Sequence, residues 1–366
     1  MESNFVYVVL AVICAGLIAF TSTPIVRVLA YKLGAIDVPK DNRRMHKTPI
    51  PRLGGLAIYL GFTLTTVIFC NLSPMLKSIW LGGTLIVIVG VLDDIFRLNA
   101  WLKFILQIGI AFIPVWQKIT VSSITIAGKT LNFGAWSVPI TILWIVGLTN
   151  AINLIDGLDG LSCGVSAISA ASLLICSILL GQDPSSTVLT AVLLGSCLGF
   201  LPFNTNPAKI FMGDTGALFL GFALSVISAG GVLKAHTVVS FLAPISIFAL
   251  PLFDTAFAIL RRVIHGKSPF APDRGHLHHK LIDMGLNQKQ TVALLYSICG
   301  ILGLSAALFT SEHLWKAGIV IVSGLILFAV NFCIMKNPDT REKAGFDKFL
   351  NPNNNEKNEH TEEEKK

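Results

Sequence analysis

Two adjacent carboxylates, Asp93 and Asp94, close an apolar run at Val91-Leu92-Asp93-Asp94-Ile95-Phe96-Arg97. Neighbours on a helix point about 100° apart, so one can face a cavity while the other pairs or caps. Such a pair serves as a metal or ammonium acceptor, or as an acid and a base with separated pKa values. A second cluster, Asn150-Ala-Ile-Asn153-Leu-Ile-Asp156-Gly157-Leu-Asp159-Gly160, repeats Asn and Asp every three residues, so they share one helical ridge. A row of amide and carboxylate oxygens suits a hard cation such as Mg²⁺, with Mn²⁺ as the substitute. A third, Phe203-Asn204-Thr205-Asn206-Pro207-Ala208-Lys209-Ile210-Phe211-Met212-Gly213-Asp214, ends on an acid at the start of a helix. Asp214 there either caps the helix or holds a metal bridging to phosphate. Phe211 either stacks on a base or anchors at an interface.

The fourth cluster is Asp273-Arg274-Gly275-His276-Leu277-His278-His279-Lys280. Its histidines fit zinc by residue type, or phosphate through charge and hydrogen bonding; no further Cys or His stands at zinc spacing, which favours phosphate. Smaller features join these. The run from Arg43 to Gly55, with Lys47 and Arg52, either recruits an anionic headgroup or sets orientation. Lys103 can reach back to a carboxylate or a phosphate, or snorkel to the interface. Asp254, inside an apolar run after Pro251, is either a functional acid by its placement, with Lys103 as a candidate partner, or one half of a structural ion pair.

The elements that must carry these residues are membrane helices. The chain has 366 residues, 53% of them hydrophobic and only 13% charged, against roughly 25% charged in soluble domains. Runs of about 20 apolar residues each cross a bilayer. They lie near 5–27, 54–70, 77–92, 101–117, 137–154, 162–181, 186–203, 215–233, 238–261, 290–310 and 315–335. The expectation is an all-α polytopic protein of about eleven transmembrane helices. The first run is too long for a signal h-region and lacks a basic start, so it reads as retained. Alternation around Gly128-Lys129 predicts a short β-hairpin on the outer face. Residues 1–336 then form one membrane domain, and the Asn-, Glu- and Lys-rich stretch 337–366 a disordered cytoplasmic tail.

Basic residues crowd the loops 32–52 and 261–289, which puts both in the cytoplasm and the N-terminus outside. The net charge of +7 follows from that bias rather than from a nucleic-acid stripe, so no nucleic-acid partner is expected. The seven cysteines are scattered, mostly in apolar runs, without a CxxC pair, and read as packing residues. Of thirteen acids before the tail, nine fall on the cytoplasmic face. Anionic lipid there gives carboxylates no favourable partner, so something on that face uses negative charge.

Taken together, the four motifs in this order resemble the polyprenyl-phosphate N-acetylhexosamine-1-phosphate transferases, over nearly the whole chain. The related muramoyl-pentapeptide branch typically carries three consecutive histidines. The run His276-Leu277-His278-His279 instead resembles the branch that uses UDP-N-acetylglucosamine. The resemblance implies a Mg²⁺-dependent transfer of GlcNAc-1-phosphate to undecaprenyl phosphate at a bacterial cytoplasmic membrane, starting teichoic acid or O-antigen type polymers. It also allows a homodimer. By position it implies Asp214 as metal carboxylate with Asn153 beside it. It implies Asp93 and Asp94 as the acidic pair, one of them the base, with Asp156 and Asp159 in the same catalytic cleft. Lys103 would meet the pyrophosphate, Asn204 and Phe211 the uracil, and Arg274, His276, His278 and His279 the sugar and phosphate. No P-loop or GxSxG elbow points to another chemistry. A transporter would place its ionisable residues at the midplane, and a non-catalytic envelope scaffold would release no nucleotide.

Overall fold

A computed structural model describes residues 2–39, 48–126, 129–235, 238–268, 275–310, 316 and 318–324. Lys47, Arg274, the tail 337–366 and most of the expected span at 315–335 lie outside the described residues. Twelve α-helices run through the described chain: α1 (Glu2–Leu33), α2 (Gly55–Phe69), α3 (Pro74–Phe96), α4 (Ala100–Trp116), α5 (Ser137–Leu154), α6 (Leu161–Leu179), α7 (Pro184–Asn204), α8 (Gly213–Gly230), α9 (Val238–Ile247), α10 (Ala249–Ile264), α11 (Leu277–Asp283) and α12 (Gln288–Thr310). Seven are long and apolar enough to cross a membrane, or eight if α9 and α10 form one broken span. α2 and α4 are apolar but shorter. The protein is therefore a polytopic membrane protein, and among the described residues seven or eight of the eleven expected spans meet that length and composition.

Helix limits follow local chemistry. Ser73 caps α3 by accepting from Leu76 N, with Pro74 as its first residue. Asn99 and Asp183 cap α4 and α7 in the same way. α9 and α10 meet at a 74° bend. Pro251 has no N–H for the carbonyl of Ile247, four residues earlier, where α9 ends. Two antiparallel strand pairs complete the fold. β1 (Ile36–Asp37) pairs with β2 (Ile50–Pro51), and β3 (Ser123–Ile126) pairs with β4 (Lys129–Asn132) with Ile124 opposite Leu131. The second pair lies at the predicted hairpin.

α8 is the centre of the bundle. Of its apolar stretch 89% is buried, against 17% for α1, most of whose side chains face outward. α2, α3, α5, α6 and α7 all pack on it. Two glycines set how closely. A Cβ at Gly55 would fall 2.0 Å from Gly216 N, and one at Gly90 would fall 2.4 Å from Thr215 Cα. Both contacts sit at the first turn of α8. Helices α2 and α3 thus meet it backbone to backbone, immediately beside Asp214.

Candidate active site

The Pro51-Arg52-Leu53-Gly54-Gly55 run is a backbone clamp. Phe211 N donates to Pro51 O (2.8 Å), Gly54 N to Phe211 O (2.9 Å) and Gly55 N to Met212 O (2.9 Å). This strand-like pairing ties the third motif to the start of α2. It places Arg52 over the first turn of α8.

Asp94 is the hub beneath. Its carboxylate accepts from Arg52 Nε (2.9 Å), Asp214 N (3.1 Å), Thr215 N (3.0 Å) and Thr215 Oγ1 (2.6 Å), and its side chain has no exposed surface. The cap of α8 therefore comes from another helix, and Asp214 is not needed for it. Asp214 is left with its own carboxylate directed at cations. Lys103 Nζ bridges Asp214 Oδ2 (2.8 Å) and Asp93 Oδ2 (2.9 Å), and Arg52 Nη2 lies 3.7 Å from Asp214 Oδ1. Asn153 Nδ2 adds a 3.4 Å contact to Asp214 Oδ2. Asp93 also accepts from Leu98 N (2.7 Å), closing the end of α3. Burial opposes the Arg52 charge, but Asp94, Asp214 and Asp37 outweigh it and hold the guanidinium above its ordinary value.

Asp214, Asp156, Asp159, Asn153, Asn204, Phe211, Arg52 and His279 line one polar cleft of about 390 Å³. Burial, with the charges of Asp214 and Asp94, pushes the Asp156 carboxyl up to about 8 against the pull of Arg52. Asp159 is partly engaged in holding the loop after α7. It accepts from Asn206 Nδ2 (2.8 Å) and Ala208 N (3.1 Å), while Asn206 Nδ2 also reaches Gln288 Oε1 (2.8 Å). Asn204 is buried and donates to Ile210 O, and its Oδ1 has no partner among the described residues. Asp37 and Gln288 line this cleft too, and the motif reading missed both. Gln288 carries no local signal; Asp37 could have been found as an acid at the edge of a strongly basic loop.

A second cavity, of about 850 Å³, is an apolar groove between α4, α5 and α10. Phe104, Ile108, Phe112, Pro139, Ile142 and Leu143 form its length. Lys103, Arg262, His276, His278 and His279 form its polar end. Asn153, Gly157 and His279 line both cavities, so cleft and groove meet there. Asn150 turns to Gln107 and Val146 instead and lines the groove alone.

One candidate pairing offered by the sequence is absent. Asp254 does not meet Lys103: it accepts from His276 Nδ1 and Leu277 N, both at 2.8 Å. Lys103 is held by Asp93 and Asp214 because it points from α4 toward the first turn of α8, whereas Asp254 faces the His motif.

His278 is buried against Gly157, where a Cβ would fall 2.4 Å from its Nε2. That Nε2 has no hydrogen-bond partner among the described residues. Burial, with the charges of His279 and His276, pulls His278 down to about 4 despite Asp254. The folded chain thus binds this proton more weakly than the unfolded chain does. Its contribution to stability is full above pH 6.5 and is lost as pH falls toward 4, by up to about 3 kcal/mol. Thermal unfolding in detergent between pH 7 and 4.5 should show that loss, and His278→Gln should flatten it. An unchanged acid slope in the variant would refute the assignment.

Residues 76–231 match the model of glycosyl transferase family 4. The chain is 39% identical over 90% of its length to a probable undecaprenyl-phosphate N-acetylglucosaminyl 1-phosphate transferase of Bacillus subtilis, covering 92% of that protein. It is 35% identical to a decaprenyl-phosphate N-acetylglucosaminephosphotransferase of Mycolicibacterium smegmatis, over 80% of both chains. It is 31% identical to an undecaprenyl-phosphate alpha-N-acetylglucosaminyl 1-phosphate transferase of Thermotoga maritima, over 79% of this chain and 88% of that one.

Proposed function

The chain belongs to glycosyl transferase family 4, and on that premise we propose that it transfers GlcNAc-1-phosphate from UDP-GlcNAc to undecaprenyl phosphate and releases UMP. The observation that carries this reading is the junction of the two cavities. A polar cleft lined by acids, Arg52 and an aromatic ring opens at Asn153, Gly157 and His279 into an apolar groove. A nucleotide sugar fits the first and a lipid phosphate the second, with their phosphates brought together at Lys103 and Asp214.

Both substrates are anionic, so their approach needs positive charge. Lys103 and Arg52 supply it from this chain, and the histidines add hydrogen-bonding groups at the end of the groove. Mg²⁺ is the proposed cofactor, with Mn²⁺ as its substitute. The donor set is oxygen only: Asp214, the Asn153 amide after rotation, and Asp156. That set suits a hard cation, and Mg²⁺ sites on diphosphates commonly use one or two carboxylates with the phosphates themselves. When bound, the ion would neutralise charge on the diphosphate.

A lipid-phosphate oxygen then attacks the sugar-bearing phosphorus, and the bond to the uridylyl phosphate breaks. One phosphoanhydride replaces another, so no other energy source is required. Asp94, wholly engaged with Arg52 and α8, fits a positioning role. Asp93 shares Lys103 with Asp214, and so acts on the incoming phosphate through that lysine, which lines the groove. The cleft faces the cytoplasm of a bacterial inner membrane in this reading, since the loops that frame it carry the basic residues.

Purified protein with Mg²⁺ and undecaprenyl phosphate should release UMP from UDP-GlcNAc, and far less from UDP-GalNAc or UDP-MurNAc-pentapeptide. Preference for the pentapeptide donor would move the chain to the muramoyl branch. The groove has its own test. Gly147 lines it, and a Cβ there meets nothing within 4 Å. Gly147→Phe should therefore fold normally and raise KM for the lipid phosphate by about tenfold, the equivalent of about 1.4 kcal/mol. KM for UDP-GlcNAc should stay put; a rise in that constant instead would place the lipid elsewhere.

A further inference from the structure

α10 grips three consecutive residues of the His motif. Arg261 Nη1 donates to Gly275 O (3.1 Å), Asp254 Oδ2 accepts from His276 Nδ1 (2.8 Å), and Asp254 Oδ1 accepts from Leu277 N (2.8 Å). The spacing is tight, since a Cβ on Gly275 would fall 2.0 Å from Arg261 Cζ. His276 stacks on His278 with ring centroids 5.8 Å apart and planes 10° apart, and His278 touches His279 at 4.3 Å. All three rings line the polar end of the groove, with Lys103 and Arg262.

We propose that Asp254 is a positioning residue of the transfer reaction, which fixes the His276 ring through Nδ1 and seats the His motif on the bent helix α10. The inference rests on the transferase reading above. An ionised carboxylate accepts, so Nδ1 carries the proton and the tautomer is set. Nε2 is then the ring atom left to face the groove, where it accepts while the ring is neutral and donates to a phosphate oxygen only when it carries a proton. Because His276 stacks on His278, and His278 packs against the tilted ring of His279, the orientation of one ring constrains the other two. A purely structural ion pair would need none of this. Asp254 would then serve any hydrogen-bonding partner equally well.

Asp254→Asn separates the two possibilities. It keeps an oxygen for Leu277 N but turns a donor toward Nδ1, which forces the other tautomer. With the full chain in detergent, Mg²⁺, UDP-GlcNAc and undecaprenyl phosphate, kcat should fall at least tenfold, with both KM values within threefold and the melting temperature within about 3 °C. His276→Ala should show a comparable loss of kcat. The double variant should be no worse than His276→Ala alone, within threefold. Losses that multiply, or an Asp254→Asn variant within twofold of the parent kcat, would overturn the dyad. A parent chain that releases no UMP overturns the transferase reading, and with it the role given to Asp254. An active parent with an indifferent Asp254→Asn overturns the dyad alone.

Discussion

Asp214→Asn should lower turnover by about 10³-fold or more while the protein still folds. The substitution keeps the shape of the side chain and its first-turn position, and α8 keeps its cap because Asp94 supplies it. What goes is one carboxylate on which Lys103, Arg52 and Asn153 all converge. A loss of that size corresponds to about 4 kcal/mol of charge stabilisation, within the range expected when a metal-holding group is removed from a phosphoryl-transfer site. The mechanism also demands a loss of ion binding. Mn²⁺ titrated in the presence of UDP-GlcNAc and followed by electron paramagnetic resonance should bind the parent chain and not the variant. Parent-like Mg²⁺-dependent turnover in Asp214→Asn would end the metal assignment.

The second large effect belongs to Asp94→Asn, and it should differ in kind. Here kcat is expected to fall about 10²-fold or more, with KM values changed by less than about threefold, and the melting temperature should drop by several degrees. Asparagine has one acceptor oxygen where Asp94 uses two, and its amide would face donors rather than acceptors. Arg52 then loses its main partner in a half-buried site, and the first N–H groups of α8 lose theirs. Breaking such a buried pair commonly costs about 3–5 kcal/mol. Asp93→Asn makes the control. Lys103 retains Asp214, so the stability loss should be smaller even where turnover suffers. Equal melting temperatures for the two variants would contradict the hub role of Asp94.

The sequence made the chemistry of the site readable because residue type and placement are local properties. Asp93-Asp94 at the end of an apolar run, the Asn-Asp ridge, Asp214 at a helix start and the His motif are all visible within a dozen residues each. Their assembly was not visible. Lys103 and Asp214 stand 111 residues apart, and Asp94 and Thr215 stand 121 apart, and no periodicity spans such distances. The same limit applies at Asp254: its apolar surroundings single it out, but charge alone can only nominate a cation such as Lys103, and the imidazole that a neighbouring loop brings to it is not legible in the sequence. Pro51-Arg52-Leu53-Gly54-Gly55 was read for its charge, whereas its glycines and carbonyls turned out to build the floor of the site. The short α2 and α4 and the bend before α10 could not be separated from ordinary spans, since hydropathy counts apolar residues without regard to where a helix breaks.

The groove between α4, α5 and α10 has one more consequence. Phe112, Leu143 and Ile259 on its walls are themselves well exposed, so under the proposed reading a lipid acceptor enters sideways from the surrounding film rather than from water. The acceptor is therefore met in two dimensions. Its effective concentration is a mole fraction in the membrane or micelle, not a molarity in the tube. Adding inert detergent or lipid at a fixed amount of undecaprenyl phosphate should slow the reaction by surface dilution, whereas the same dilution leaves the encounter with the water-borne nucleotide sugar unchanged.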